Sequence, residues 1–270
     1  MNGVLERTLG ILELLSRHGH GLELATIADQ LNIPRSGAHR LLNDLARCGY
    51  VRQVREHGDY VLTTKLIAMG LSYLGNSGIA DIAQPILDRL AEHSGELVRL
   101  SVVDGDRLTW VARAQGARQG LRYDPEMGSD ARISCSASGL AWLATMSDES
   151  ALALVSRQGF GQPADYGPNA PATVQALLEC LHATRQRGYS ATEETYTPGL
   201  NAMAAPVYLN DHAAIGVISI AGPTVRFTPE RMSELAPELI SMCAQMAACS
   251  GASPFFNVAR QAQLQPIYAP

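Results

Sequence analysis

No two of the five cysteines in this 270-residue chain stand at C-x-x-C spacing: Cys48, Cys135, Cys180, Cys243 and Cys249 are odd in number and widely spread. Reduced, mostly buried thiols are expected, and neither a disulfide framework nor a thiolate metal site fits. The histidines are equally scattered. His18 and His20 lie in a Gly-rich turn with no cysteine or acid at ligand spacing, so no metal or other cofactor is expected. No apolar run approaches the length that crosses a bilayer. The stretch from Met1 to Arg17 lacks the basic region, apolar core and small-residue cleavage site of a secretory signal, so a cytoplasmic protein without a membrane partner is expected. Gly159-Phe-Gly161 is not followed by the further glycine of a dinucleotide fingerprint, and there is no P-loop. Internal repeats and long low-complexity runs are missing too.

Basic residues are in deficit overall, with 21 Lys/Arg against 26 Asp/Glu and a net charge of -5, which argues against a nucleic-acid partner until the deficit is located. Residues 1–72 carry eight Lys/Arg against seven Asp/Glu, or +1. The remainder carries 13 against 19, or -6. The acidity therefore belongs to the C-terminal part, and position matters more than the sum. Hydrophobic residues make up 46% and charged residues 17%, enough apolar side chain for two separate cores.

Leu5, Leu9, Leu12 and Leu15 recur at three- and four-residue steps and predict a first helix. After His18-Gly-His-Gly21 a short second helix follows, with Ala25, Ala28 and Leu31 inward, ending at Asn32. Pro34 suits the first position of a third helix running to about Cys48, with Ala38, Leu41, Leu42 and Leu45 as its buried stripe and Gly49 as its stop. Val51 to Val54 and Asp59 to Leu62 then read as a hairpin across Arg55-Glu-His-Gly58. Three helices and a two-stranded wing, in that order, make a winged helix-turn-helix over residues 1–62. Residues 63–78 read as a linker helix, capped at Thr63 or Thr64 and interrupted at Gly75-Asn-Ser-Gly78. Residues 79–252 alternate helices (79–93, 138–156, 171–187, 229–249) with strands (97–103, 107–114, 203–209, 213–221), turning at Asp104-Gly-Asp106 and Asn210-Asp211. That is an α+β domain of antiparallel sheet and flanking helices. Residues 253–270, with three prolines and three glutamines, form a tail outside the core.

With the apolar stripe of helix three assigned, Arg35, Ser36, Gly37, His39, Arg40 and Asn43 remain on its outer face. A helix fits the major groove, where Arg reads guanine and Asn or His can pair with base edges, while Ser and backbone N–H groups near the helix start hold phosphates. Arg40 and His39 are the expected base contacts. Arg52, Arg55 and His57 of the wing can lie along the phosphate backbone. Any amphipathic helix has a polar face; the turn before Pro34 and the wing behind it are what point to double-stranded DNA.

The run Val4-Leu-Glu-Arg-Thr-Leu-Gly-Ile-Leu-Glu-Leu-Leu15, with Ile27-Ala28, Pro34-Arg-Ser36, His39-Arg-Leu-Leu42 and Gly49-Tyr-Val51, strongly resembles the DNA-binding domain of IclR-type bacterial regulators. Arg187-Gly-Tyr189, Glu193-Glu194, Pro198-Gly-Leu200, Ala204-Ala-Pro-Val207 and Ile218-Ser-Ile-Ala-Gly-Pro223 resemble that family's GAF-like effector-binding domain. The resemblance covers all but the last twenty or so residues. It implies an effector cleft formed by the segment around Ser138-Gly139, the loop from Thr192 to Ala202 and the strand with Ser219, and so carries over Gly139, Leu140, Thr192, Tyr196, Leu200, Ala202, Ser219 and Ala221. Family members that bind small keto acids have an acid, a cysteine and a second serine where this chain has Thr192, Ala202 and Ala221. That departure leaves a less polar cleft.

Ser219, Thr192, Tyr196, Asn201 and the Gly139 amide are the candidate donors in an otherwise apolar lining, which suits a larger organic acid, aromatic ones included. Arg122 or Arg132 is a candidate carboxylate partner, and each reads equally well as a solvated surface residue. A sequence-specific repressor or activator follows, working as a homodimer or dimer of dimers whose linker helix makes the subunit contact and sets a spacing of about 34 Å between recognition helices. Two rivals share the pattern: a metabolite-processing enzyme with a tethered winged helix, and a winged-helix adaptor for a protein partner. Against the enzyme, Glu193 and Glu194 point to opposite sides of an extended segment. Cys135, Ser136 and Ser138 also have no evident histidine base and do not fit G-x-S-x-G.

Overall fold

The structure is a computed structural model that describes residues 3–55, 58–125, 127–209 and 213–251. The expected tail, the turn at Asn210-Asp211 and His57 of the wing lie outside the described residues. The chain divides into two compact units, one ending at Asn76 and the other starting at Ser77.

In the first unit, α1 (Val4–Ser16), α2 (Leu24–Gln30) and α3 (Arg35–Arg47) precede the antiparallel pair β1 (Val51–Gln53) and β2 (Tyr60–Leu62). The core gathers Ile11, Leu15, Ile27, Leu41, Leu42, Leu45, Val51 and Tyr60. The expected inward stripe of α1 is thus corrected. Ile11 and Leu15 are buried, whereas Leu5 and Leu9 are 71% and 48% exposed. Both stripes are periodic at helical spacing, and periodicity alone does not say which one meets the core. Asn32 takes φ of 51° in the turn to α3, a conformation asparagine tolerates, and Pro34 sits one position earlier than expected, as the N-cap.

Leu22 also bridges Tyr60 through reciprocal backbone hydrogen bonds of 3.1 and 2.9 Å, a third rung on the wing that the sequence did not announce. Gly21 (φ +91°) makes that approach possible, because a Cβ there would lie 2.8 Å from the Tyr60 carbonyl oxygen.

The linker helix α4 (Thr64–Ser77) runs through Gly75 rather than stopping there; glycine weakens a helix without barring it, and the break falls at Gly78 with φ of 71°. Four contacts root α4 on the end of α3. The Lys65 Nζ donates to the Cys48 carbonyl (2.7 Å) and sits 4.4 Å from the Tyr50 ring centroid. Thr63 donates through its hydroxyl to Gly49 (2.6 Å) and through its amide to Tyr50 (2.9 Å).

The second unit is built on an antiparallel sheet in the order β4-β3-β7-β6-β5, from β3 (Leu97–Asp104), β4 (Arg107–Gln115), β5 (Ser190–Glu193), β6 (Leu200–Leu209) and β7 (Ala213–Pro223). The helices α5 (Ile79–Ser94) and α9 (Pro229–Ser250) cover one face. On the other lie α6 (Ala137–Leu143), α7 (Asp148–Gln158) and α8 (Val174–Arg187), where Leu140, Trp142, Leu177, Leu181 and Val217 form the core.

The single helix expected over 138–156 is two. Ser147 caps α7 by accepting from the Ser150 amide (3.2 Å), and Asp148 and Glu149 suit its positive N-terminal end, so the chain restarts there instead of continuing. β5 went unread because four residues, Ser190–Glu193, are too few to show a period. Buried Glu96 is gripped by two nitrogens of Arg226, one at 2.9 Å, and Gly222 beside it leaves room for the carboxylate.

α6 packs so closely on the preceding segment that a Cβ at Gly139 would lie 2.3 Å from the Ile133 Cα. Gly139→Ala is therefore expected to cost about 3 kcal/mol of stability, measured by urea unfolding; a loss under about 0.5 kcal/mol would show that the helix can back away.

Candidate functional site

Two surfaces concentrate chemistry, one in each unit. On α3 the buried positions Ala38, Leu41, Leu42 and Leu45 turn Arg35, Ser36, His39, Arg40 and Asn43 outward, and all five are exposed. Asn43 and His39 lie within 3.4 Å of each other across one helical turn, so each restrains the other's side chain. Gly37 is half-buried against Ile33. Arg52 and Arg55 of the wing are exposed as well, and Arg35 and His39 share a groove with Gln53 and Gly58 at the wing's edge. Among the described residues none of Arg35, Arg40, Arg52 and Arg55 forms an ion pair, whereas Arg47 at the helix end is bound to Asp44. Unpaired cations on a helix face and an adjoining ribbon suit a polyanion, with the helix in a groove and the ribbon on the phosphates.

The second surface is internal. A cavity on the α6 side of the sheet is lined by Arg99, Trp110, Tyr123, Ser136, Ala137, Ser138, Thr192, Tyr196, Thr197, Leu200, Asn201, Ala202, Ser219 and Ala221. Register explains the assembly: Arg99 pairs with Ser219 across β3 and β7, and Thr192, Ala202 and Ala221 form one row across β5, β6 and β7. Six of the residues carried over by resemblance (Thr192, Tyr196, Leu200, Ala202, Ser219 and Ala221) fall on this lining. Gly139 and Leu140 do not. They are buried in α6, and the Gly139 amide expected to serve a ligand already donates to the Ser136 hydroxyl (3.1 Å).

Free room in the cavity is about 30 Å³, enough for two or three waters at about 10–15 Å³ each. A roomier groove of about 370 Å³ between α9 and β6 is lined by Gly188, Ala205, Pro206, Tyr208, Ile240, Cys243 and three alanines. It carries no charged side chain, so the smaller cavity is the better ligand site.

Polar atoms in that cavity lack partners. Nε and Nη1 of Arg99, Nε1 of Trp110, Oδ1 of Asn201 and Oγ of Ser219 are all buried without a hydrogen bond among the described residues. Each such group costs about 1–3 kcal/mol if left dry. Other groups are committed: Thr192 donates to the Ala202 carbonyl (3.0 Å) and the Asn201 amide nitrogen to the Phe227 carbonyl (2.8 Å). Burial lowers the pKa of Arg99, with Tyr123 and Tyr196 acting in the opposite sense, and burial raises that of the Tyr196 hydroxyl.

The arginines weighed from the sequence lie elsewhere. Arg122 is exposed and bound to Asp124 (2.8 Å); Arg132 donates to the Tyr166 hydroxyl (2.7 Å) and to the Gln158 carbonyl (2.9 Å). Arg99, Trp110 and Tyr123 were missed. The available signal was an arginine in the middle of Leu97-Val-Arg-Leu-Ser-Val-Val103, since a cation in a run buried on both faces needs a reason.

The groups weighed for enzymatic chemistry include Cys135, which is buried, and Glu193 and Glu194 at the end of β5. Burial pushes the Cys135 thiol up to about 12, which leaves almost no thiolate at neutral pH. Glu193 is exposed, while the Glu194 carboxylate accepts from the Gly199 amide (2.8 Å). Among the described residues no cluster of metal-ligating side chains occurs, and no helix is long and apolar enough to cross a membrane.

Residues 4–55 match the family model described as the IclR helix-turn-helix domain, and residues 71–248 match that of the bacterial transcriptional regulator IclR C-terminal domain. The chain is similar to the acetate operon repressor of Salmonella typhimurium, at 30% identity over 248 residues that cover 92% of this chain and 89% of that protein. It is also similar to the HTH-type transcriptional repressor AllR of Escherichia coli, at 27% identity, covering 84% and 82%. Among solved structures, the IclR transcriptional regulator from Alicyclobacillus acidocaldarius matches with TM-score 0.80 and 24% identity, over 93% of this chain and all of that one. An IclR homologue from Microbacterium hydrocarbonoxydans complexed with 4-hydroxybenzoate matches with TM-score 0.77 and 18% identity, over the same shares.

Arg40→Ala is expected to weaken binding to the cognate operator by about 1–3 kcal/mol while leaving the melting temperature unchanged. Fluorescence anisotropy on a labelled operator reads this, and an unchanged affinity would remove Arg40 from the base-reading set.

Proposed function

The chain belongs to the IclR family of bacterial transcriptional regulators, and on that footing we propose that it is a cytoplasmic, homodimeric repressor that releases its operator when a small organic acid enters the cavity of its second unit. It is a DNA-binding regulator of transcription and not an enzyme. The observation that carries the DNA-binding half is the exposed row Arg35, Ser36, His39, Arg40 and Asn43, with Arg52 and Arg55 beside it and no acid neutralising the four arginines among the described residues. Arg40 and His39 read bases; Ser36, Arg52 and Arg55 hold phosphates.

The proposal of an effector rests on the unpartnered polar atoms inside a mostly apolar, aromatic-walled cavity. The solved homologue with 4-hydroxybenzoate, an organic acid, supports it. Thr192, Ser219 and Tyr196 face the ligand, and Leu200, Ala202 and Ala221 give it apolar contact. The ligand needs only to favour one arrangement of the recognition helices over another; equal affinity for both would change nothing.

Two copies are needed to place recognition helices about 34 Å apart on one face of a palindromic site. The single chain leaves Val4, Leu5 and Leu9 on α1 and Ile67, Met69, Leu71 and Tyr73 on α4 exposed, 48% to 71% each. Exposed apolar rows on the two outer helices of the first unit favour burial against a second copy, and pairing of dimers then gives a tetramer.

Ile67→Glu is expected to shift the protein toward monomer in analytical ultracentrifugation and to lower operator affinity with it; a stable dimer would move the contact off α4. Arg52→Ala and Arg55→Ala are each expected to reduce the slope of log K against log salt by about one, and an unaltered slope would take the wing off the phosphates. Thr192→Trp is expected to abolish the thermal shift given by an organic-acid library while operator binding persists. Undiminished shifts would remove the effector from this cavity.

A further inference from the structure

Resting on the reading of the cavity as the effector site, we propose that Arg99 is its carboxylate anchor and that the cavity takes a planar aromatic monocarboxylate. Arg99 stands in the middle of β3, 5% exposed, with Val98 and Leu100 on either side fully buried. A guanidinium in that position demands an anion or a full set of acceptors. Neither is there. Glu96, three residues away, is held by Arg226, and Asp124 on the neighbouring segment is held by both Arg113 and Arg122. Among the described residues no acid pairs with Arg99, and its Nε and Nη1 are buried and unpartnered.

What surrounds the cation is aromatic. The guanidinium carbon lies 4.0 Å from the centroid of Trp110 and 5.8 Å from that of Tyr123, and Tyr196 stands edge-on to Trp110 at 6.0 Å. Stacking on rings holds the cation while leaving Nε and Nη1 unmatched, and a carboxylate is the group that fits a guanidinium edge in its plane. Ser219 is the direct cross-strand partner of Arg99, so both side chains leave the same face of the sheet about 5 Å apart. Its unpartnered hydroxyl supplies a further donor to the same anion.

The walls dictate the remainder of the ligand. A slot bounded by Trp110, Tyr123 and Tyr196, and floored by Ala202 and Ala221, matches a flat ring better than a branched or tetrahedral chain. The cavity has some 30 Å³ of free room, with Arg99 stacked against Trp110. An arene acid enters by taking over two contacts that already exist: its ring replaces the stack, and its carboxylate meets the idle donors. One negative charge suffices, since among the described residues Arg99 is the only charged side chain on the lining.

The test uses the full-length protein and three probes of similar size in calorimetry: benzoate, its neutral counterpart benzamide, and cyclohexanecarboxylate, which keeps the charge and loses the planar ring. Benzoate is expected to bind, and the other two to bind roughly 10- to 100-fold more weakly. Benzamide binding as well as benzoate would overturn the anion, and cyclohexanecarboxylate binding as well would overturn the flat ring. Absence of benzoate binding overturns the proposal outright.

Arg99→Met is expected to lose the preference of benzoate over benzamide and, without ligand, to melt no lower than the wild type, because an uncompensated buried charge has been removed. A variant that melts lower and still prefers benzoate would make Arg99 structural. The wild-type probe comparison stands if the variant does not fold. The underlying reading fails separately: if another class of compound binds and Thr192→Trp abolishes that binding, the cavity remains the effector site and only the arene acid falls.

Discussion

Everything in the second unit is arranged around the pairing of β3 with β7, two strands covered on both faces. A strand buried on both sides can hold polar side chains only where something answers them. Ser101, one row from Arg99 on the same face, adds another hydroxyl to this interior. Gly216 lets β7 approach closely enough that a Cβ would meet the Ser101 carbonyl at 2.6 Å. The register so fixed puts Arg99 opposite Ser219 and brings the β5–β6 edge within reach of the same cavity. The site is thus a property of the sheet, whose strands hold their side chains far more rigidly than loops do.

The winged helix follows a different logic. Its core is small, and its functional face is whatever the core does not use. The four apolar positions of α3 decide which five polar ones point outward, so selection for packing and selection for recognition act on interleaved residues of a single helix. This is why the face was legible in the amino-acid sequence: subtracting the stripe leaves the exposed polar row.

Legibility falls off where the deciding contacts are long-range. The order of helices and strands, the hairpin at Asp104-Gly-Asp106 and the outward face of α3 all rest on local period and turn chemistry, which a short window contains. On α1 two apolar stripes compete, and only the position of α3 and β2 tells which is buried. Ser147 was a readable cap inside an otherwise helical stretch, yet the apolar residues on both sides masked it. Gly75 carried the opposite error, a glycine taken for a break in a helix that continues. In the cavity, resemblance brought six lining residues together, but it said nothing of Arg99, Trp110 and Tyr123. The β3–β4 hairpin sets Trp110 beside Arg99, but their meeting with Ser219 and Ala221 depends on the pairing of β3 with β7, more than a hundred residues on, which no local pattern encodes.

The root of α4 has a mechanical corollary. Lys65 and Thr63 tie the first turn of that helix to the carbonyls of Cys48, Gly49 and Tyr50, directly behind the end of α3. A torque on α4 is therefore delivered to the recognition helix through short, stiff links instead of a slack tether. So tied, the winged helix would turn with α4 as one piece, as a rudder follows its stock, and the exposed side chains of α3 would keep their mutual geometry.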